Sequence, residues 1–316
     1  MKNIRSGAYP VMITPYNKDM SVDYGAAEAL VEWYWEQGCD GIFAACLSSE
    51  IFELTLEERV KLSALTKRTA DRLAKAEPRR TPMSVVASGH VSDAFDDQVK
   101  ELNAIADTGV DAVVLISNRF DIANTGFDAW RTDAEHLLER LPSELALGIY
   151  ECPAPYKRPL DADILRWIVQ SKRFSFIKDT CCDADEIAKR LKLLNGSGVK
   201  LFNAHAGSLL QSLRDGGDGY CGVMANYMAR PFVKLCACYR DDPWLADYLQ
   251  AFLDFAATSE GMGYPISAKY YLDVFEKVPM THLSRNKSES VLTDRYKTCL
   301  SQLRDSVESL HTNGLI

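Results

Sequence analysis

No stretch of this chain approaches the ~20 consecutive apolar residues needed to cross a bilayer. Its first residues, Met1-Lys2-Asn3-Ile4-Arg5, lack the apolar core of a secretion signal, so a cytoplasmic protein without a membrane partner is expected. Excess basic charge is missing too. With 36 Lys and Arg against 44 Asp and Glu, the net charge is −8, which argues against nucleic acid or an anionic membrane as main partner. A small-molecule substrate is the more natural expectation. The nine cysteines are odd in number, contain no Cys-x-x-Cys pair, and place Cys181 beside Cys182, so neither a disulfide framework nor a bound metal is expected. The thiols read as reduced. No Gly-x-Gly-x-x-Gly follows a strand to open a helix, which weakens a dinucleotide-binding reading.

What is present is an ordinary globular balance, 47% hydrophobic and 25% charged residues over 316 positions, enough for one large domain. Short apolar runs alternate with segments of helical spacing. The run Gly7 to Pro15 precedes a helix over Tyr24 to Gln37, and Asp40 to Cys46 precedes a helix that opens on the capping box Thr55-Leu56-Glu57-Glu58. Pro82 to Ala87 is followed by a helix that Ser92 is expected to cap, and Val110 to Ile116 by one near Phe127 to Leu141. Leu145 to Tyr150, Phe174 to Lys178, Val199 to Asn203 and Gly219 to Val223 each precede a further helix. Eight such units predict an α/β fold, a (β/α)8 TIM barrel over residues 1–240, in preference to an open doubly wound sheet. Residues 241–316 read as a C-terminal helical extension, broken by the loop Lys277 to Ser288.

In barrels the chemistry gathers where the strands run out. Those positions are Thr14, Cys46 to Glu50, Ser88 to His90, Ser117 to Phe120, Tyr150 to Pro153, Lys178, Asn203 to His205, and Gly222-Val223. A lysine at such an end can be held partly desolvated, which favours a neutral amine that attacks carbonyls, or it can be a solvated strand terminus. Tyr150 ends the preceding strand, where a phenol can pass protons to and from a carbinolamine or simply park its hydroxyl in the core. The turn Cys46-Leu47-Ser48-Ser49-Glu50 offers amides and hydroxyls that suit a carboxylate, or forms an ordinary polar loop. Cys46, Cys152, Cys181, Cys182 and Cys221 fall near the same mouth, most simply as small buried hydrophobes.

Tyr150-Glu151-Cys152-Pro153 followed one unit later by Ile177-Lys178-Asp179 resembles the Tyr-x-x-Pro and Ile-Lys-(Glu/Asp) signatures of the dihydrodipicolinate synthase/N-acetylneuraminate lyase family. Leu54 to Arg59, Gly216 to Gly219 and Ala225-Asn226 are similar to further motifs of that family in the same order. The resemblance implies a class I aldolase or lyase in which Lys178 forms an imine with a 2-keto acid, typically pyruvate, and Tyr150 relays protons. It further implies a substrate site with Ser48, Ser49 and Cys221, no metal or organic cofactor, and a homotetramer built from dimers. A keto-deoxy sugar acid dehydratase and a barrel that binds a keto acid without turnover are the alternatives. A phosphate-binding isomerase barrel is disfavoured by the lack of a glycine-rich phosphate loop near the last strands.

The chain also departs from the pattern it resembles. Leu47 stands where threonine or serine is usual, Ser49 replaces a glycine, and Ser117 to Phe120 lacks a tyrosine pair. Pro155 takes the place of a substrate-binding arginine; Lys157 and Arg158 read as a solvated basic loop or as groups for an acidic substrate, and His205 as a polar surface or interface residue or a substrate ligand. The imine chemistry is therefore expected, and the two activities for which the family is named are not.

Overall fold

Eight short strands, each followed by a helix, form one parallel sheet in the order β1-β8-β7-β6-β5-β4-β3-β2. The computed structural model describes residues 4–316. The strands are β1 (Gly7–Ala8), β2 (Gly41–Phe43), β3 (Ser84–Ala87), β4 (Ala112–Ile116), β5 (Leu147–Tyr150), β6 (Phe174–Asp179), β7 (Lys200–Asn203) and β8 (Gly219–Tyr220). The helices between and after them are α1 (Tyr24–Glu36), α2 (Leu56–Ala76), α3 (Phe95–Ala106), α4 (Phe127–Glu139), α5 (Ala162–Ser171), α6 (Ala184–Leu194), α7 (Leu209–Arg214) and α8 (Ala229–Cys238). An isolated parallel bridge between Val11 and Phe43 links the first unit to β2 and closes the circle. This is the (β/α)8 barrel expected from the alternation of the sequence.

Helix starts follow local chemistry. Asp23, Thr55, Asp161 and Asp183 each accept a backbone N–H of the first turn, which satisfies amides the helix leaves orphaned. Ser92 does not cap α3. Its hydroxyl donates to Glu101 at 2.9 Å, and the helix begins later, at Phe95. The apolar run Gly7 to Pro15 yields only two residues of β1 beside β8; Pro10 has no N–H to give the ladder, and beyond it the run pairs with β2 through the single Val11–Phe43 bridge. At the β1–β8 seam, a side chain on Gly219 would meet the carbonyl oxygen of Gly7 at 1.9 Å, so the seam needs glycine.

Two apolar layers result. One lies between sheet and helices; the other fills the barrel lumen with Phe43, Cys46, Val86, Val114, Tyr150, Cys152, Phe176, Phe202 and Cys221. The extension adds α9 (Pro243–Ala256), α10 (Ile266–Val274) and α11 (Asp294–Thr312). It reaches across the barrel to the end of β2, where Lys269 Nζ lies 3.5 Å from Glu50 Oε1, both buried, and Arg285 N donates to Glu50 Oε2 at 2.6 Å. Burial pulls the Lys269 ammonium down to about 8, with Glu50 acting in the opposite direction. Among the described residues, no helix is long and apolar enough to cross a membrane.

Candidate active site

Parallel pairing sets Tyr150 directly opposite Lys178, one residue beyond the pair Ile149–Ile177. Side chains alternate across a strand, so opposed residues leave the sheet on the same face. Both enter the lumen. Lys178 Nζ lies 4.1 Å from the centroid of the Tyr150 ring and 5.1 Å from that of Phe43, whose ring meets Tyr150 edge-on. Lys178 is 4% exposed and Tyr150 3%. The carboxylates next to them in sequence, Glu151 and Asp179, turn the other way, and among the described residues Lys178 has no carboxylate partner.

Desolvation raises the Tyr150 hydroxyl well above its usual range, and contact with Cys152 adds to this, so the group is a neutral phenol able to donate. Burial also pushes the Cys221 thiol up to about 12 and raises Cys152, against the pull of the Lys178 charge beside both. The lumen around the lysine therefore holds neutral thiols. Among the described residues, no three His, Cys, Asp or Glu side chains gather as a metal site.

Behind this pair the chemistry is ionic. Arg190, on α6, places Nη1 2.6 Å from Asp179 Oδ2 and 2.9 Å from Glu151 Oε1. Glu151 also accepts from the amides of Leu160 (2.6 Å) and Thr180 (3.0 Å), and Asp179 from that of Cys181 (2.8 Å). The two loops beyond Tyr150 and Lys178 are thus tied to one guanidinium.

The end of β2 is organised differently. Ser49 Oγ contacts the carbonyls of Met12 (2.5 Å) and Ala44 (2.9 Å) and accepts from Cys46 N (3.1 Å), while Ser49 N donates to Cys46 O (3.0 Å). Its hydroxyl holds the turn together. Ser48 is half-buried and lies beside Tyr264 of the extension. Leu47 packs against the lumen residues together with Ala154 and Val223, giving the mouth an apolar rim.

Other expectations are corrected by the packing. Arg158 is not part of a solvated loop. It is 7% exposed, pairs with Asp121 Oδ2 at 2.9 Å, and donates to the Asp121 and Gly126 carbonyls. Lys157 is exposed and donates to Thr180 O. His205 is half-buried, with Nδ1 3.0 Å from Ser208 Oγ. Asn118, in the segment that lacks a tyrosine pair, donates from Nδ2 to the carbonyls of Cys152 and Ala154 at 3.0 Å and to that of Tyr156. It braces the loop after β5.

Sequence reasoning missed four residues near the mouth. Tyr34, Asn226 and Tyr264 form a hydrogen-bonded row behind Ser48. Glu260, also from the extension, is a partly buried carboxyl raised to about 7 by desolvation, with Cys182, Tyr220 and Tyr227 near it. Only Asn226 carried a local signal, in the Ala225-Asn226 motif that follows the eighth strand.

Eight parallel strands with a lysine and a phenol side by side at their carboxyl ends place the molecule among (β/α)8-barrel proteins. Within that class the chain belongs to the Dihydrodipicolinate synthetase family, whose sequence model matches residues 5–274. It is thereby a member of an enzyme family of the lyase and synthase type. It is 24% identical to a 4-hydroxy-tetrahydrodipicolinate synthase of Shewanella sp. (strain MR-4) over 238 residues, 73% of this chain and 74% of that one. Among solved structures it is similar to YagE of E. coli K12 in complex with pyruvate, with a TM-score of 0.83 at 19% identity, covering 96% of this chain and 98% of that one. The CdNal protein of Clostridium difficile in complex with mannosamine aligns with a TM-score of 0.81 at 16% identity, covering 96% and 99%.

Proposed function

We propose that this chain is a class I aldolase or lyase acting on pyruvate or another 2-oxo acid through an imine on Lys178. One observation carries the reading: a buried lysine without a carboxylate partner among the described residues, its Nζ 4.1 Å from the ring of a neutral phenol. The relatives named above, one of them bound to pyruvate, support the choice of a 2-oxo acid.

The neutral amine of Lys178 adds to C2 of the oxo acid, and the carbinolamine loses water to give the imine. Tyr150 donates the proton that makes the carbinolamine hydroxyl a leaving group, and regains one when the imine is hydrolysed. In a 4-hydroxy-2-oxo acid the Tyr150 phenolate then takes the C4 hydroxyl proton, and the protonated imine accepts the electron pair of the C3–C4 bond as it breaks. Cleavage therefore yields an aldehyde and an enamine, and the reverse order builds the bond. Ser48 and Cys221 face the bound acid in this reading. Ser49 acts by shaping the turn.

Borohydride added with pyruvate is expected to reduce the imine and leave a stable mass increase on Lys178, absent in Lys178→Ala. Absence of an adduct across a panel of 2-oxo acids would sink the reading. A barrel that binds a 2-oxo acid without turnover is the second reading, motivated by a turn in which Leu47 has no hydroxyl and that of Ser49 is occupied. It requires thermal stabilisation by the acid without product in a screen of aldol cleavage and dehydration.

A further inference from the structure

Tyr150 is the last residue of β5 to pair with β4, opposite Ile116, and the chain just beyond it is not held to β4 by backbone ladder. On the β4 side the strand passes at once into a tight turn, Ser117–Arg119, and on the β5 side Pro153 and Pro155 have no N–H to give. One side chain supplies the missing rungs. Asn118, fully buried, directs Nδ2 at the carbonyl oxygens of Cys152 and Ala154, both at 3.0 Å, and at that of Tyr156. Carbonyls only accept, so this atom is the nitrogen; Oδ1 correspondingly accepts from Arg119 Nε at 3.1 Å. Arg119 is held in turn by Val91 O at 3.1 Å and Asp93 Oδ1 at 2.7 Å, on the loop after β3. Toward β6 the same stretch is tied by Glu151, whose carbonyl accepts from Thr180 Oγ1 at 2.7 Å. The exit of β5 is therefore clamped from both neighbouring strands.

We propose that Asn118 is a positioning residue for Tyr150: by fixing Cys152 and the loop beyond it against β4, it holds the phenol in the pose from which it protonates the carbinolamine on Lys178. The inference rests on the imine reading and adds to it a residue that acts without touching the substrate. The route is short. Cys152 follows Tyr150 by two positions, and its side chain is fully buried in the lumen layer that also holds the Tyr150 and Phe43 rings. Phe43 meets the Tyr150 ring edge-on, and Cys152 is pinned through its own carbonyl. Released from Asn118, the loop takes the thiol with it, and the phenol loses one wall of its slot. A shift of about 1 Å at a reacting group is enough to slow a reaction on the order of 10²-fold. The pairing of Tyr150 with Lys178 sets where the two residues leave the sheet; Asn118 sets how the phenol stands once it has left. All three acceptors are backbone carbonyls, so the side chains of the loop stay free to vary.

The test follows imine formation by timed borohydride trapping with pyruvate in wild type, Asn118→Ala, Tyr150→Phe and the double variant. Asn118→Ala is expected to slow trapping at saturating pyruvate about tenfold, with the half-saturating concentration unchanged within about twofold, because proton transfer and not binding is disturbed. In the Tyr150→Phe background, where no phenol proton is left to position, the same substitution should change the rate by less than about twofold. Arg119→Lys removes the Nε donor that orients the amide and is expected to slow trapping about threefold, again only when the phenol is present. That variant decides the matter if Asn118→Ala does not fold. Equal slowing with and without the phenol, a raised half-saturating concentration at an unchanged rate, or no change in Asn118→Ala and Arg119→Lys would overturn the inference alone. Failure of wild type to trap any 2-oxo acid would overturn the function and this inference with it.

Discussion

The lumen wall at Lys178 and the layer directly behind it differ in how they treat charge, although they are built from adjacent residues of the same two strands. In front, Tyr150 and Lys178 meet neutral thiols and aromatic rings, and the ammonium has no carboxylate partner among the described residues. Behind, Glu151 and Asp179 share Arg190 and collect backbone amides. Strand alternation sorts the two sets. An ion-paired lysine would be held protonated and unreactive, whereas a carboxylate left unpaired in the second layer would destabilise the fold. On the imine reading, the chain thus confines its rigid ionic contacts to the layer that does not react.

The sharpest way to break this contrast is to remove the proton donor from the front layer. Tyr150→Phe keeps the ring over Lys178 and takes away the hydroxyl, and the rate of imine formation with pyruvate should fall by about 10²- to 10⁴-fold. Stopped-flow or timed trapping measures it, and a rate within a few-fold of wild type would end the proton-shuttle assignment. In the back layer, Arg190→Met leaves two buried carboxylates facing each other without their cation. A loss of about 3–5 kcal/mol is expected by denaturant unfolding, and a loss under 1 kcal/mol would show that amides alone hold the two loops.

Glu260 sharpens the comparison as a carboxyl at the mouth without an ion-pair partner among the described residues. Its folded value, about 7, lies above the ordinary 4.5. Below pH 4.5 both folded and unfolded chains hold the proton; as pH rises toward 7 the unfolded chain ionises first, so folded stability declines. Glu260→Gln should therefore be more stable than wild type above pH 7, by about 1–3 kcal/mol after allowing for partial exposure, and no different near pH 4. Stability curves against pH for the two proteins decide it, and parallel curves would remove the desolvated-carboxyl assignment.

The barrel was legible because each unit carries its own local signal: an apolar run, turn chemistry, and then helical spacing. The strand-end rule then placed Lys178 beside Tyr150, since consecutive strands of such a barrel are neighbours. Ser48 came from the same rule. Tyr264 and Glu260 did not, because they arrive from an extension whose path over the mouth is set by long-range contacts such as Lys269–Glu50 and Arg285–Glu58. Arg158 was misread for a related reason. Its partner Asp121 belongs to the previous strand's loop, and nothing near Arg158 in sequence announces it. Ser49 shows the limit at single-atom scale: a serine in a polar loop gives no hint that its hydroxyl will be consumed by the carbonyls of Met12 and Ala44.

The pairing of Tyr150 with Lys178 across β5 and β6 makes their separation a property of the backbone ladder. Lengthening, shortening or replacing the loops around α5 and α6 leaves the ladder, and hence that separation, in place. On the imine reading proposed above, the pair is therefore portable among substrates: exchanging the surrounding loops would admit a different aldehyde, and the new variant would inherit the lysine and phenol without having to rebuild them.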